Sequence, residues 1–189
     1  MMKRTIAVML AGIALMLGNV SDSRAEIKEI RMTIAGSLCG YCVFNVKKAV
    51  GRLDFAPKGD DIKIVDIKRG LGVFTPKPDK QASFAKIKSA LKKTGYVLAS
   101  AEIIVSGTLI REESNWFIEI DSSKQRFALE GPNLTETLAD AASGASIEIT
   151  GDWQTVGKDA SSREVIRPTA ARKTEMVPVS NKTSFDERE

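Results

Sequence analysis

Histidine is missing from all 189 residues, and cysteine occurs only twice. The first absence removes His-based triads, His general bases and every zinc site that needs imidazole. The second leaves too few thiolates for structural zinc, which takes four ligands. Net charge is also scarce. The chain carries +4 overall, and Lys3, Arg4 and Arg24 against Asp22 contribute +2 of it within the first 25 residues, leaving +2 for the other 164. That is no nucleic-acid signature. Enzyme motifs are lacking too: there is no G-x-S-x-G elbow or P-loop, and Gly70-Leu71-Gly72 lacks both the third glycine and the helix of a dinucleotide site. The chain reads as a binding protein, not an enzyme.

Apolar runs of membrane length are absent as well. Lys3 and Arg4 lead into an uncharged run from Thr5 to Gly18, followed by Ser23-Arg24-Ala25, the pattern of a secretory signal and its cleavage site. About 13 apolar residues are too few to span a ~30 Å hydrocarbon core, which needs about 20. The expectation is a signal over residues 1–25, a mature chain from Glu26, no stable membrane insertion, and a bacterial periplasmic location with full secretion as the other destination.

What remains is 43% apolar and 28% charged, enough apolar material for a folded core. Over residues 26–105 strand and helix periods alternate. Ile30, Met32 and Ile34 repeat every second residue, while Val43, Val46, Ala49, Val50 and Leu53 line one helix face. Ile62, Ile64 and Ile67 lead to the turn Arg69-Gly70, and Leu71, Val73 and Phe74 return as a hairpin partner. A second helix, capped by Asp79 or Ser83, carries Phe84, Ile87 and Leu91 and ends at Gly95. A last strand runs from Val97 to Val105. The order βαββαβ predicts a ferredoxin-like domain, four antiparallel strands under two helices.

Residues 106–169 read as strands at Thr108 to Arg111, Trp116 to Ile120, Arg126 to Leu129, Ser146 to Trp153 and Arg163 to Arg167. One short helix at Leu134, Leu138 and Ala141, opened by Asn133 or Thr135, falls between the third and fourth. This order predicts a small OB-like five-stranded barrel, so the expected class is α+β. Trp116, Phe117 and Trp153 are expected in its core, since no basic stripe accompanies them as an oligonucleotide platform would require. Residues 170–189 turn polar and read as a flexible tail.

The chemistry lies in one motif, Gly36-Ser37-Leu38-Cys39-Gly40-Tyr41-Cys42, where the first strand gives way to the first helix. A helix N-terminus and a C-x-x-C spacing both lower thiol pKa values. Two soft thiolates without imidazole suit one Cu(I) or Hg(II) ion. Two other readings stay open: a short disulfide that binds nothing in an oxidising compartment, leaving an interaction module, and thiol–disulfide exchange.

These residues resemble the heavy-metal-associated domain, whose signature G-M-x-C-x-x-C lies between first strand and first helix of a βαββαβ fold. The likeness covers roughly Ile30 to Val105. Gly36, Cys39 and Cys42 match, Val43 to Val50 looks like the family's first helix, and Lys93-Thr94-Gly95-Tyr96 looks like its loop before the last strand. Ser37 stands where the family has methionine. With the export signal, the resemblance is to periplasmic mercury-binding proteins and copper carriers. It implies that Cys39 and Cys42 hold the metal, that Gly36, Ser37 and Tyr96 support the loop, and that a metal-donor or metal-acceptor protein is the partner.

Overall fold

The computed structural model describes residues 25–132, 134–139, 141–157 and 162–174. The expected signal up to Arg24, the cap candidate Asn133 and the expected tail from residue 175 onward lie outside these. Besides one 3-10 turn at Gly59–Asp61, the described residues form, in order, β1 (Glu26–Ile34), α1 (Gly40–Val50), β2 (Lys63–Asp66), β3 (Leu71–Phe74), α2 (Phe84–Lys93), β4 (Leu98–Glu112), β5 (Asn115–Ile120), β6 (Gln125–Leu129), α3 (Leu134–Thr137), β7 (Ser146–Val156) and β8 (Arg163–Lys173). The protein is α+β, mostly strand, with few helices and a closed five-stranded barrel.

The first four strands lie in the order β2-β3-β1-β4, all antiparallel. Ile30, Met32 and Ile34 are buried, as their spacing of two predicts. A register shift between Ile27 and Glu29 turns Ile27 inward as well. Val46, Ala49 and Val50 of α1 and Ile87 and Leu91 of α2 are buried with these strands in one core. Ser83 caps α2, its hydroxyl accepting from the Lys86 N–H at 3.4 Å. Gly95 follows in the left-handed conformation, φ +86°.

The barrel closes as β4-β5-β6-β8-β7 and back to β4, with β6 and β8 parallel and the other pairs antiparallel. α3 lies between its third and fourth strands in chain order. Leu109, Ile118, Phe127, Ile149, Trp153 and Ile166 fill it. Trp153 is 2% exposed, Trp116 packs against the core from its rim, and Phe117 lies half-buried under the Arg126 guanidinium, 4.7 Å from the ring centroid.

Two expected boundaries differ. Ser106-Gly107 reads in sequence as a break between two strands, yet β4 is one strand of 15 residues that pairs with β1 through its first half and with β5 through its second. Gly107 serves close approach instead: a Cβ there would come within 2.4 Å of the Glu119 carbonyl oxygen. Likewise β8 continues past Arg167 and Thr169 to Lys173, because Ala170 and Ala171 still pair with Thr150 and Ile149.

The sheet and barrel are joined by more than β4. The buried Gln125 amide accepts from the Ala82 N–H at 2.8 Å and donates to the Ala82 carbonyl at 2.6 Å. Phe84, at the start of α2, meets Trp153 edge-on at 5.9 Å. Glu164 accepts from Thr155 Oγ1 at 2.9 Å and from the Phe84 N–H. Burial raises the Glu164 carboxyl above its ordinary range, against the pull of these hydrogen bonds.

On the other side Glu148, 5% exposed, is held by Lys28 at 2.5 Å and by Arg172. Desolvation pushes its carboxyl up, but the two cations outweigh it and the net shift is downward. A carboxyl lowered in the folded state adds stability that is present above its unfolded pKa, near about 4.3, and lost as pH falls through the folded value. Glu148→Gln is expected to cost about 1–2 kcal/mol at pH 7, the upper range being discounted because both cations are partly solvated. Thermal melts at successive pH values check this: the gap between wild type and variant should close below about pH 4.

Candidate functional site

The corner between β1 and α1 is built from short-range rules. Gly36 takes φ +86° and turns the chain out of β1. Leu38, 5% exposed, anchors the loop in the core. Cys39 is the N-cap of α1: its backbone is extended, and its Sγ accepts the Cys42 N–H at 3.1 Å. Cys42, in the first helical turn, is therefore brought back over Cys39, and the two are joined as a disulfide with Cα atoms 4.9 Å apart. Cys39 is exposed, whereas Cys42 is half-buried against the core.

Two further loops meet this corner. The Ile34 N–H donates to the Gly70 carbonyl and the Leu38 N–H to the Ile67 carbonyl, both at 2.9 Å. The Ala35 N–H donates to the Val97 carbonyl at 2.8 Å. The β2–β3 turn and the α2–β4 loop thus brace the cysteine loop by backbone hydrogen bonds. Tyr96 is half-buried on the core beside Val97, while Gly36 and Ser37 are exposed. Of the residues the sequence nominated, Cys39 and Cys42 come together, Gly36 and Ser37 share their loop, and Tyr96 arrives with the adjoining one.

Sequence reasoning missed the core anchor. It lies at Leu38, one residue after the position where the resemblance places a prop, and its apolar side chain beside a thiol was the available signal. Gly70 was read as a turn residue only. It has φ +65°, and a Cβ there would lie 2.3 Å from the Ile34 carbonyl oxygen and 3.1 Å from that of Gly36. Gly70→Ala is expected to cost more than about 2 kcal/mol, from the left-handed backbone and the clash together. Thermal unfolding measures that loss, and faster reduction of the disulfide by a small thiol would report the loosened loop.

The site is a rim, not a pocket. One concavity lies on the open face of the sheet by Glu29, Arg31, Lys63 and Val73 and includes neither cysteine. Among the described residues no group of three or more Cys, Asp or Glu side chains is placed to hold a metal ion. Nor is any described helix long and apolar enough to cross a membrane. Set against known proteins, the chain matches no family profile, no curated protein and no solved structure.

Proposed function

We propose that this is an exported, periplasmic soft-metal-binding protein which captures one Cu(I) or Hg(II) ion between the Cys39 and Cys42 thiolates and passes it to a partner protein by ligand exchange. The observation that carries the reading is a C-x-x-C pair at a strand-to-helix corner, with Cys39 exposed and its sulfur capping the helix. Two thiolates without imidazole or carboxylate match the preference of soft, low-coordinate ions. An ion so held leaves open approaches for an incoming thiolate, so release needs no unfolding.

The order β1-α1-β2-β3-α2-β4 and the sheet order β2-β3-β1-β4 support a ferredoxin-like, heavy-metal-associated first domain. The barrel's strand order, with α3 before its fourth strand, supports an OB-like second domain, in a docking or modulating role. The proposed first unit runs from residue 26 to 105 and the second from 106 to the end of β8 at Lys173, the two sharing β4, with a signal before and a polar tail after. No catalytic residue is assigned. The Cys39–Cys42 disulfide favours a second reading, a thiol–disulfide redox protein or an interaction module with a resting disulfide. Native mass spectrometry of the reduced chain with Cu(I), Hg(II) and Zn(II) in competition separates the two. One soft ion per chain, with zinc excluded, is the expected result; no retained ion would leave the redox reading.

A further inference from the structure

We infer that the Cys39–Cys42 disulfide is the substrate of a dithiol protein whose docking surface is acidic, and that Cys39 is the sulfur attacked. This goes beyond metal capture and stands without it, since it concerns the oxidised pair.

The first observation is what surrounds the sulfurs. Tyr41 and Phe44 on α1 are 75% and 57% exposed, Ile67 on the β2–β3 turn 49%, and Val97 on the α2–β4 loop 61%. The three backbone hydrogen bonds described above bring these segments to one end of the sheet. Four large apolar side chains therefore stand in water at the end that carries the disulfide, the mark of an interaction site.

Charge says what covers them. Residues 35–53, 67–74 and 84–101, which build this end and its helices, contain nine lysines and arginines and no acid at all. Lys68 and Arg69 follow Ile67, Lys92 and Lys93 close α2, and Lys48 lies 5.7 Å over the Phe44 ring. The acids that directly flank these stretches, Asp54, Asp66 and Glu102, are already paired, with Lys86, Arg69 and Arg31. An acidic surface complements this rim, and one that also brings thiols has a use for the bond at its centre, which a lipid headgroup lacks.

The chemistry balances without another reagent. A partner thiolate attacks Sγ of Cys39, the exposed cysteine, forming a mixed disulfide; the S–S bond breaks and its electron pair leaves on Cys42 Sγ. That thiolate forms in the first turn of α1, where the helix dipole favours negative charge. The partner's second thiolate then attacks its own bridged sulfur and expels Cys39 as a thiolate. The partner's dithiol is oxidised to a disulfide, this pair is reduced by two electrons, and the two protons lost by the partner are taken up by solvent or the released thiolates.

The test reduces the oxidised full chain with two peptides that share one Cys-x-x-Cys core, flanked either by glutamates or by lysines. Each rate is divided by the same peptide's rate on a small neutral disulfide. At low ionic strength the glutamate peptide should be favoured about tenfold, the advantage fading at about 1 M salt and in a Lys68→Glu, Lys92→Glu, Lys93→Glu variant. Equal normalised rates at low salt would overturn the acidic partner. So would vesicles of anionic phosphatidylglycerol, or a second copy of the chain, binding this rim in wild type but not in the variant while the peptides show no preference.

For the entry sulfur, the single-cysteine variants Cys42→Ser and Cys39→Ser are tagged with thionitrobenzoate. Release by a glutamate-flanked monothiol peptide should be about tenfold faster from Cys39 than from Cys42, following accessibility. Equal rates, or faster release from Cys42, would overturn the assignment. Neither measurement uses a metal, so a chain that fails to bind Cu(I) or Hg(II) leaves this inference standing, and the reverse also holds.

Discussion

Cys39→Ser, or Cys42→Ser, is expected to remove stoichiometric Cu(I) and Hg(II) binding by the reduced protein. The chain offers two sulfurs at this corner and no third ligand among the described residues, so either substitution leaves a single thiolate. A hydroxyl is a hard, protonated donor that a soft ion does not prefer. Loss of an outer partner of a metal ligand typically weakens binding by about 10–100-fold. Loss of one of two ligands should exceed that, at more than about a thousandfold. Competition against a chelator of known affinity measures it. Folding should be nearly untouched by Cys39→Ser, because a serine hydroxyl can still accept the Cys42 N–H as an N-cap. Retention of one tightly held ion by either variant would end the two-sulfur proposal.

Trp153→Ala should be the most destabilising single change in the barrel. Trp153 is 2% exposed and meets Phe84 at 5.9 Å and Phe127 at 6.4 Å, both edge-on, so one indole holds α2 to the barrel and fills the barrel itself. Truncating a buried aromatic to alanine costs about 3–5 kcal/mol through lost transfer energy and the cavity left behind. For a chain of this length that is a fall in Tm of about 6–20 °C, read by circular dichroism or calorimetry. Trp153→Phe should lose markedly less. The indole Nε1 is buried without a hydrogen-bond partner, so phenylalanine keeps most of the ring and removes an unsatisfied donor. Equal losses in the two variants would overturn the argument from ring packing.

Much of this architecture is legible in the residues. Ile30, Met32 and Ile34 mark a strand with one buried face, Ser83 caps a helix, Gly95 ends it, and the pattern of five strands with a helix before the fourth corresponds to the closed barrel. The cysteine corner is legible for the same local reason: a glycine, a cap and a helix face lie within fifteen residues. What failed depended on distant partners. Gly107 looks like punctuation until Glu119 is seen against it, and Ala170 and Ala171 look like tail until β7 supplies their hydrogen bonds. The bracing roles of Leu38 and Gly70 were not legible because the loops they meet lie about thirty residues away in sequence. The ring of exposed Tyr41, Phe44, Ile67 and Val97 was invisible for a related cause: a sequence pattern reports that a residue is apolar, not that the fold has left it uncovered.

The unbroken run of β4 bears on how the molecule can be taken apart. Its middle residues are the last wall of the sheet and the first stave of the barrel at once, with Ser106 paired to Glu26 on one side and Glu148 on the other. A gene cut at that point would give two fragments, each with a raw hydrogen-bonding edge and an opened core. A protease would find no hinge there. Whatever the barrel contributes, it is transmitted to the sulfur end through a rigid spine instead of a tether, so a partner gripping one end takes hold of the other.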